Sequence, residues 1–144
     1  TSKSRSLAGM RIGYAFGSET LISTLEAVKN SYNSYTMDSL ALAVGEASIR
    51  DEAYFRETCR KVAATRDRAA DELRALGFEV TPSLTNFLFA THPKKAAPEI
   101  FSALREKGIF IRYFKLPRID NHLRITVGTD EQMDALIAAL KQIL

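Results

Sequence analysis

The sequence predicts an α/β chain whose larger part, residues 51–144, is a small α+β domain. Two observations predict this class. From about residue 51 onward, the spacing of apolar residues predicts the order helix, strand, strand, helix, strand, strand, helix, which suits a mostly antiparallel sheet covered by helices on one side. Residues 1–50 predict one strand and two helices, and such a set cannot close a core by itself. We therefore expect residues 1–50 to be the end of a larger domain whose beginning is missing.

Residues 1–50 divide into three predicted elements. Strand-forming residues in alternate positions predict a buried strand near residues 10–16. Ser18 can cap a first helix that ends near Asn30, and Asp38 can cap a second helix that runs to about Ile49. Because the second helix is apolar on nearly every side, we expect it to be buried.

The longest predicted helix runs from Asp51 to Leu76. Its continuous stripe, at spacings of four and three, consists of Phe55, Cys59, Val62, Arg66, Ala69, Leu73 and Leu76. Gly77 supplies the left-handed residue that ends the helix. Because Cys59 lies on this stripe, we expect its thiol to pack in the core.

The remaining elements follow in short succession. The predicted strands are residues 78–80, 86–90, 109–114 and 123–127. Pro98 begins a helix that ends at Gly108, and Thr129 with Gln132 forms a capping box at the start of the last helix. One face of that helix is expected to be buried through Met133, Leu136, Ile137, Leu140 and Ile143.

The net charge of +3 is confined to the first residues. Lys3, Arg5 and Arg11 precede Glu19, the first acidic residue, and the other 17 basic residues are balanced by 17 acidic ones. A nucleic-acid surface spreads a basic stripe along one face, so this distribution argues against nucleic-acid binding. No apolar run approaches the ~18 residues of a membrane span, and we expect a soluble, cytoplasmic protein. The single cysteine, Cys59, excludes an internal disulfide.

Lys3 lies in the segment with the strongest chemical content. A lysine that attacks a carbonyl must lose its proton, and neighbouring cations such as Arg5 and Arg11 favour the neutral amine. The Ser2 hydroxyl and the Arg11 guanidinium bracket this lysine and can hold a phosphate between them. A frayed basic end is the alternative interpretation of the same residues.

A second basic group lies late in the chain and comprises Arg112, Lys115, Arg118 and Arg124, opposed by Asp120. In the strand at residues 123–127, Arg124 faces away from the apolar residues, so it can offer its guanidinium to a cleft. A solvated strand face is the alternative. His92 and His122 are 30 residues apart without a carboxylate at ligand spacing, and no metal site is expected.

The segment at residues 2–14, SKSRSLAGMRIGY, resembles the cofactor-lysine motif of the fold-type I pyridoxal-phosphate aminotransferases, and most closely that of the histidinol-phosphate aminotransferase group. Further segments in that family's order and spacing are Asn33 with the helix after it, residues 85–87, residues 108–112 and residues 121–129. The resemblance implies the C-terminal part of the aspartate-aminotransferase-like fold. Residues 1–50 would be a remnant of the large cofactor-binding domain, and residues 51–144 the small α+β domain.

The same resemblance implies roles for six residues. Lys3 would form the Schiff base with pyridoxal 5'-phosphate and move the proton between the substrate carbon and the cofactor, while Ser2 and Arg11 would contact the cofactor phosphate.

For the substrates, the resemblance implies that Arg124 binds the α-carboxylate and Arg112 the substrate phosphate. Asn86 either supports the carboxylate-binding arginine or simply begins a strand.

The implied activity of the intact enzyme is transamination of histidinol phosphate with a 2-oxo acid, in histidine biosynthesis, by a homodimer. Another fold-type I aminotransferase or a phospho-amino-acid decarboxylase is the alternative within the same scaffold. In this family, several cofactor-pocket groups, including a tyrosine lent by the neighbouring subunit, precede the lysine. We therefore expect the chain alone to be inactive, and a non-catalytic interaction domain is the alternative of a different class.

Overall fold

The computed structural model describes all 144 residues and divides them into two compact units, residues 1–57 and residues 58–144. The helices are α1 (Glu19–Tyr32), α2 (Ser39–Arg50), α3 (Glu52–Ala75), α4 (Ala97–Glu106) and α5 (Asp130–Ile143), and a 3-10 turn spans Ala8–Met10. The strands are β1 (Glu79–Val80), β2 (Phe87–Thr91), β3 (Arg112–Tyr113) and β4 (Leu123–Thr126). None of the helices combines the length and the apolar character that a membrane crossing needs.

The second unit is built on one antiparallel sheet with the strand order β1-β2-β4-β3. The core on one face of this sheet joins Leu88, Ala90, Leu123 and Ile125 to residues of α3, α4 and α5. The other face carries the alternating residues, such as Phe89 and Arg124. This arrangement confirms the predicted element order and the one-sided helical cover.

The helix boundaries of the second unit follow from local signals. At the start of α5, the Thr129 hydroxyl accepts a hydrogen bond from the N–H of Gln132, whose side chain accepts one from the N–H of Thr129. This capping box confirms the prediction. Gly77 has φ of +90° just after α3, and the Phe78 N–H donates to the Leu73 carbonyl at 3.1 Å. The glycine therefore ends α3 in the left-handed conformation that its sequence position predicts.

Residues 10–16 correct one prediction, because they do not form a strand. Tyr14 and Phe16 are 66% and 91% exposed instead of buried. A strand needs a neighbouring strand to pair its backbone groups, and residues 1–57 contain none. Residues 10–16 therefore form an irregular segment, although their side chains favour a strand.

The helices of the first unit are also less buried than the sequence predicts. No residue of α1 is buried, and α2 buries Ala41 and Gly45 while Leu40 and Leu42 remain exposed. The expectation that α2 is buried on every side is therefore wrong for this chain. Gly45 has a packing role, because a Cβ atom at this position would lie 2.9 Å from Cδ1 of Ile12.

Cys59 is exposed, so the prediction that it packs in the core is wrong. The stripe of α3 is buried in its second half, through Thr65, Ala69, Ala70 and Leu73. Cys59 lies on the same side of the helix but before the turns that contact the sheet core. The periodic spacing therefore predicted correctly which face of α3 is buried. It did not predict that only the second half of that face contacts the core.

Candidate functional site

The lysine segment closes on itself through hydrogen bonds to backbone carbonyls. The Thr1 hydroxyl donates to the Ile12 carbonyl at 2.9 Å, and the Arg5 N–H donates to the Thr1 carbonyl at 3.1 Å. Because Thr1 contacts Ile12, the neighbouring positions of Ser2 and Arg11 lie at the same end of this loop. Lys3 follows directly, and its side chain is exposed.

Two residues of the loop hold left-handed backbone conformations without being glycine. Ser6 has φ of +55° and Arg11 has φ of +56°. Arg11 ends the 3-10 turn, and its Nη1 donates to the Ala8 carbonyl at 3.0 Å. A non-glycine residue in this region costs about 1–2 kcal/mol, and such strain is kept where the surrounding structure requires a particular backbone course. The segment that carries Lys3 therefore forms a turn with two left-handed residues.

Arg5 takes part in a different set of contacts from the one that the sequence suggested. Its Nη1 donates to the carbonyl of Ser48 at 2.6 Å and to that of Asp51 at 3.2 Å, at the C-terminal end of α2. Its guanidinium carbon lies 3.9 Å from the ring centroid of Phe55. Through these contacts, Arg5 connects the lysine segment to the residues at the junction between α2 and α3.

The two late arginines lie side by side on the sheet. Arg112 of β3 and Arg124 of β4 are directly opposed in the antiparallel register, on the face away from the helical core. Leu123 and Ile125 are buried, as the predicted alternation of β4 requires. Neither guanidinium forms an ion pair with a carboxylate of the chain. Two adjacent cations without an internal counter-ion give this face a positive charge that suits an anionic group.

Aromatic rings surround these arginines, and sequence analysis missed them. The guanidinium carbon of Arg124 lies 4.5 Å from the ring centroid of Phe87 and 5.4 Å from that of Phe114. That of Arg112 lies 5.2 Å from Phe114. The signal for Phe87 was present in the sequence, because it alternates with buried Leu88 and so shares the face of Arg124.

Two buried polar atoms on this face have no hydrogen-bond partner within the chain. They are Nε of Arg124 and Nδ1 of His122. The His122 ring stacks on Phe89 with a centroid distance of 4.6 Å and an interplanar angle of 9°. A buried donor without a partner costs free energy, and a bound anion can remove that cost.

Asn86 precedes β2, and its backbone carbonyl accepts a hydrogen bond from the N–H of Val127 at 2.9 Å. This contact extends the pairing of β2 with β4 by one residue. The structure thus supports the strand-starting role of Asn86, while support of Arg124 by its side chain stays a prediction.

The six predicted site residues fall into two groups. Ser2, Lys3 and Arg11 belong to the first unit, and Asn86, Arg112 and Arg124 belong to the second. No group of three or more histidine, cysteine or acidic residues has the geometry of a metal site.

A groove of about 330 Å³ in the second unit is a poorer candidate for an anion site. Its two arginines, Arg66 and Arg74, each form an ion pair with a neighbouring aspartate, Asp67 and Asp71 respectively. The four charges cancel, so this groove does not attract an anion as the paired arginines of the sheet do.

Comparison with known proteins relates both groups of residues to one family. Residues 1–140 match the family described as aminotransferase class I and II. The chain is 57% identical over 142 residues to histidinol-phosphate aminotransferase 2 of Dechloromonas aromatica (strain RCB). The aligned residues cover 99% of this chain and 40% of the relative. The chain is 56% identical over 142 residues to histidinol-phosphate aminotransferase of Marinomonas sp. (strain MWYL1), covering 97% of this chain and 40% of the relative.

Among solved structures, the chain matches histidinol-phosphate aminotransferase from Sinorhizobium meliloti in complex with pyridoxal-5'-phosphate, with a TM-score of 0.87 and 32% identity. The match covers 99% of this chain and 39% of that chain. The chain therefore spans about 40% of the length of the curated relatives that it matches.

Proposed function

Because the chain belongs to the class I and II aminotransferase family, we propose that it works as part of a longer protein that transfers an amino group between histidinol phosphate and a 2-oxo acid. The observation that carries this proposal is the opposed pair Arg112 and Arg124, two guanidinium groups on one sheet face with no counter-ion in the chain. Both proposed substrates present an anionic group: a phosphate on one and carboxylates on the other. The names of two relatives, both histidinol-phosphate aminotransferases, support histidinol phosphate as the amino donor.

The residues of the lysine segment fit pyridoxal phosphate, the cofactor that the family implies. The segment offers an amine at Lys3, a hydroxyl at Ser2 and a guanidinium at Arg11 within one closed loop, and the last two are donors suited to a phosphate. When bound, the cofactor supplies an electron sink for the substrate α-carbon. Lys3 would hold the cofactor covalently until the substrate amine displaces it, and its freed Nζ would then move the proton from the substrate α-carbon to the cofactor.

The sheet arginines would orient the substrates. Arg124 would bind the α-carboxylate through two parallel N–H donors, a geometry that a planar guanidinium provides and an ammonium does not. Arg112 would contact the phosphate of histidinol phosphate. This division makes Arg124 selective for the substrates that carry an α-carboxylate and Arg112 selective for histidinol phosphate, which carries a phosphate and no carboxylate.

The domain assignment and the assembly are part of the proposal. We assign residues 1–50 to a large cofactor-binding domain and residues 51–144 to the small domain, in a homodimer. Helix α1 exposes an apolar stripe that consists of Leu21, Leu25, Val28 and Tyr32. Monomeric proteins seldom expose such a stripe, so it supports the proposal that other parts of the longer protein or of the dimer pack against α1. The chain alone would then be inactive, and the intact enzyme would work in the cytoplasm, with which the free thiol of Cys59 is compatible.

The test uses the full-length protein with and without Lys3→Ala. We expect a visible absorption band after addition of pyridoxal phosphate, attachment of the cofactor to Lys3 on borohydride reduction, and amino transfer from histidinol phosphate to 2-oxoglutarate. Lys3→Ala should lose all three.

Activity on other amino donors without histidinol phosphate would favour a different aminotransferase. Release of CO₂ from a phospho-amino acid would favour the decarboxylase. Absence of a lysine-bound cofactor from the full-length protein would leave the interaction domain as the better explanation.

A further inference from the structure

Phe114 lies close to both guanidinium groups of the arginine pair. Its ring centroid is 5.2 Å from the guanidinium carbon of Arg112 and 5.4 Å from that of Arg124. Both distances fall within the ~6 Å at which an aromatic face attracts a cation. Phe114 follows β3, two residues after Arg112, which places it on the same face as the arginines.

The guanidinium groups of the two arginines need a neighbouring group that fixes their orientation. Arg112 and Arg124 are opposed residues of neighbouring strands, where like charges repel. A carboxylate between them would fix both side chains, but it would also cancel the charge that a substrate anion has to find. An aromatic ring attracts cations through its quadrupole and carries no net charge, so it orients the guanidinium groups and leaves them available.

We propose that Phe114 is a positioning residue that holds Arg112 and Arg124 in place for the anionic groups of the substrates. This inference rests on the proposed function of the two arginines. Arg124 also lies over the ring of Phe87, at 4.5 Å, so it keeps a second aromatic contact if Phe114 is lost. Loss of the Phe114 ring should therefore weaken Arg112 more than Arg124, and phosphorylated substrate more than unphosphorylated.

The experiment compares three variants of the full-length enzyme: Phe114→Leu, Phe114→Tyr and Phe110→Leu. Phe114→Tyr keeps the ring, and Phe110→Leu removes a 79% exposed phenylalanine of the same segment as a control. Steady-state kinetics give KM and kcat for histidinol phosphate and for glutamate. Calorimetry gives the affinity for inorganic phosphate, a readout independent of turnover.

Phe114→Leu should raise KM for histidinol phosphate roughly 3- to 30-fold and weaken phosphate binding in parallel, with a smaller rise for glutamate and kcat within about 2-fold. Phe114→Tyr should restore the parent values, and Phe110→Leu should not change them.

Three outcomes would overturn the inference. Phe114→Leu with parent KM values, while Arg112→Ala raises KM for histidinol phosphate, would refute the role of Phe114 and leave the proposed function standing. An equal loss of kcat and cofactor content in Phe114→Leu, not restored by Phe114→Tyr, would show a role in folding only. Unchanged KM values in both Arg112→Ala and Arg124→Lys would refute the proposed function itself, and the role of Phe114 with it.

Discussion

The central carbon of the Arg5 guanidinium lies 3.9 Å from the ring centroid of Phe55, while its Nη1 donates to two carbonyls at the end of α2. Arg5 is two residues from Lys3 in sequence, and its partners are more than forty residues away. The lysine segment is therefore held by a long-range contact that combines a charge-assisted hydrogen bond with a cation–π interaction.

Replacing Arg5 by methionine should loosen the lysine segment. Loss of hydrogen bonds to a charged group costs about 1.5–3 kcal/mol, so amide exchange of residues 1–12 should become roughly 10- to 100-fold faster in the full-length protein. Arg50→Met is the matched control, because Arg50 forms an exposed ion pair with Glu46 within the same helix. Equal exchange rates in both variants would contradict the role of Arg5.

Arg124→Lys should weaken the half-reaction with glutamate more than the half-reaction with histidinol phosphate, because glutamate has an α-carboxylate and histidinol phosphate has none. Lysine keeps the charge but lacks the planar pair of donors that binds a carboxylate. We expect kcat/KM to fall about 10- to 100-fold for glutamate and its 2-oxo acid, which steady-state kinetics of each half-reaction will measure. An unchanged kcat/KM for glutamate would exclude the carboxylate role.

Arg112→Ala should be selective. Removal of a hydrogen bond to a charged group should cost about 1.5–3 kcal/mol for the phosphorylated substrate and little for its partner that lacks a phosphate. The ratio of kcat/KM values for the two substrates, in parent and variant, measures this directly. Equal losses for both would remove the phosphate role and the main reason for choosing histidinol phosphate.

Acid should weaken the contact between α3 and α5. Arg68 donates to Asp130 at 2.9 Å and to Asp134 at 2.6 Å, and the first of these hydrogen bonds, with one from Thr65, lowers the pKa of Asp130. A lowered pKa in the folded state means that this stabilisation is present above the ordinary pKa near 4 and is lost as the pH falls below it.

The variant Asp130→Asn tests this pH dependence. It should melt below the parent at pH 7, and the difference should shrink at pH 3, because the carboxylate of the unfolded parent is then protonated and folding has to release that proton. Melting curves of both proteins at the two pH values measure it. Glu79→Gln, in an exposed strand position, is the control. A difference that grows toward pH 3 would reverse the sign and contradict the assignment.

The two glycines with left-handed backbone should differ in their tolerance of alanine. Both Gly77 and Gly108 have positive φ, which costs an alanine about 1–2 kcal/mol. A Cβ at Gly77 would also lie 3.2 Å from Nε2 of His92, whereas one at Gly108 meets nothing within 4 Å. Denaturant unfolding should show a larger loss for Gly77→Ala than for Gly108→Ala, and equal losses would mean that His92 moves aside without cost.

Local signals predicted the second unit well. The capping box at Thr129, the helix-ending Gly77 and the alternation around Arg124 are each decided by residues that are close in sequence. The strand at residues 10–16 could not be excluded in this way, because a strand depends on a neighbouring strand that the sequence does not identify.

The arginine site shows the same limit at the level of side chains. Sequence and family resemblance indicated Arg112 and Arg124, but the register that opposes them and the position of Phe114 near both guanidinium groups depend on strand pairing. The contacts of Arg5 depend on the approach of α2, which its neighbours in sequence do not indicate.

The place of Arg112 on β3 has a consequence for solubility. β3 is an outer strand of two residues, and its unpaired side is a free edge to which another sheet can add. A charged side chain on such a strand opposes edge-to-edge aggregation, so we expect the cation proposed to bind phosphate to oppose aggregation through β3 as well. Arg112→Ala should therefore scatter more light on concentration than Arg112→Lys, and its kinetics should be measured at low protein concentration.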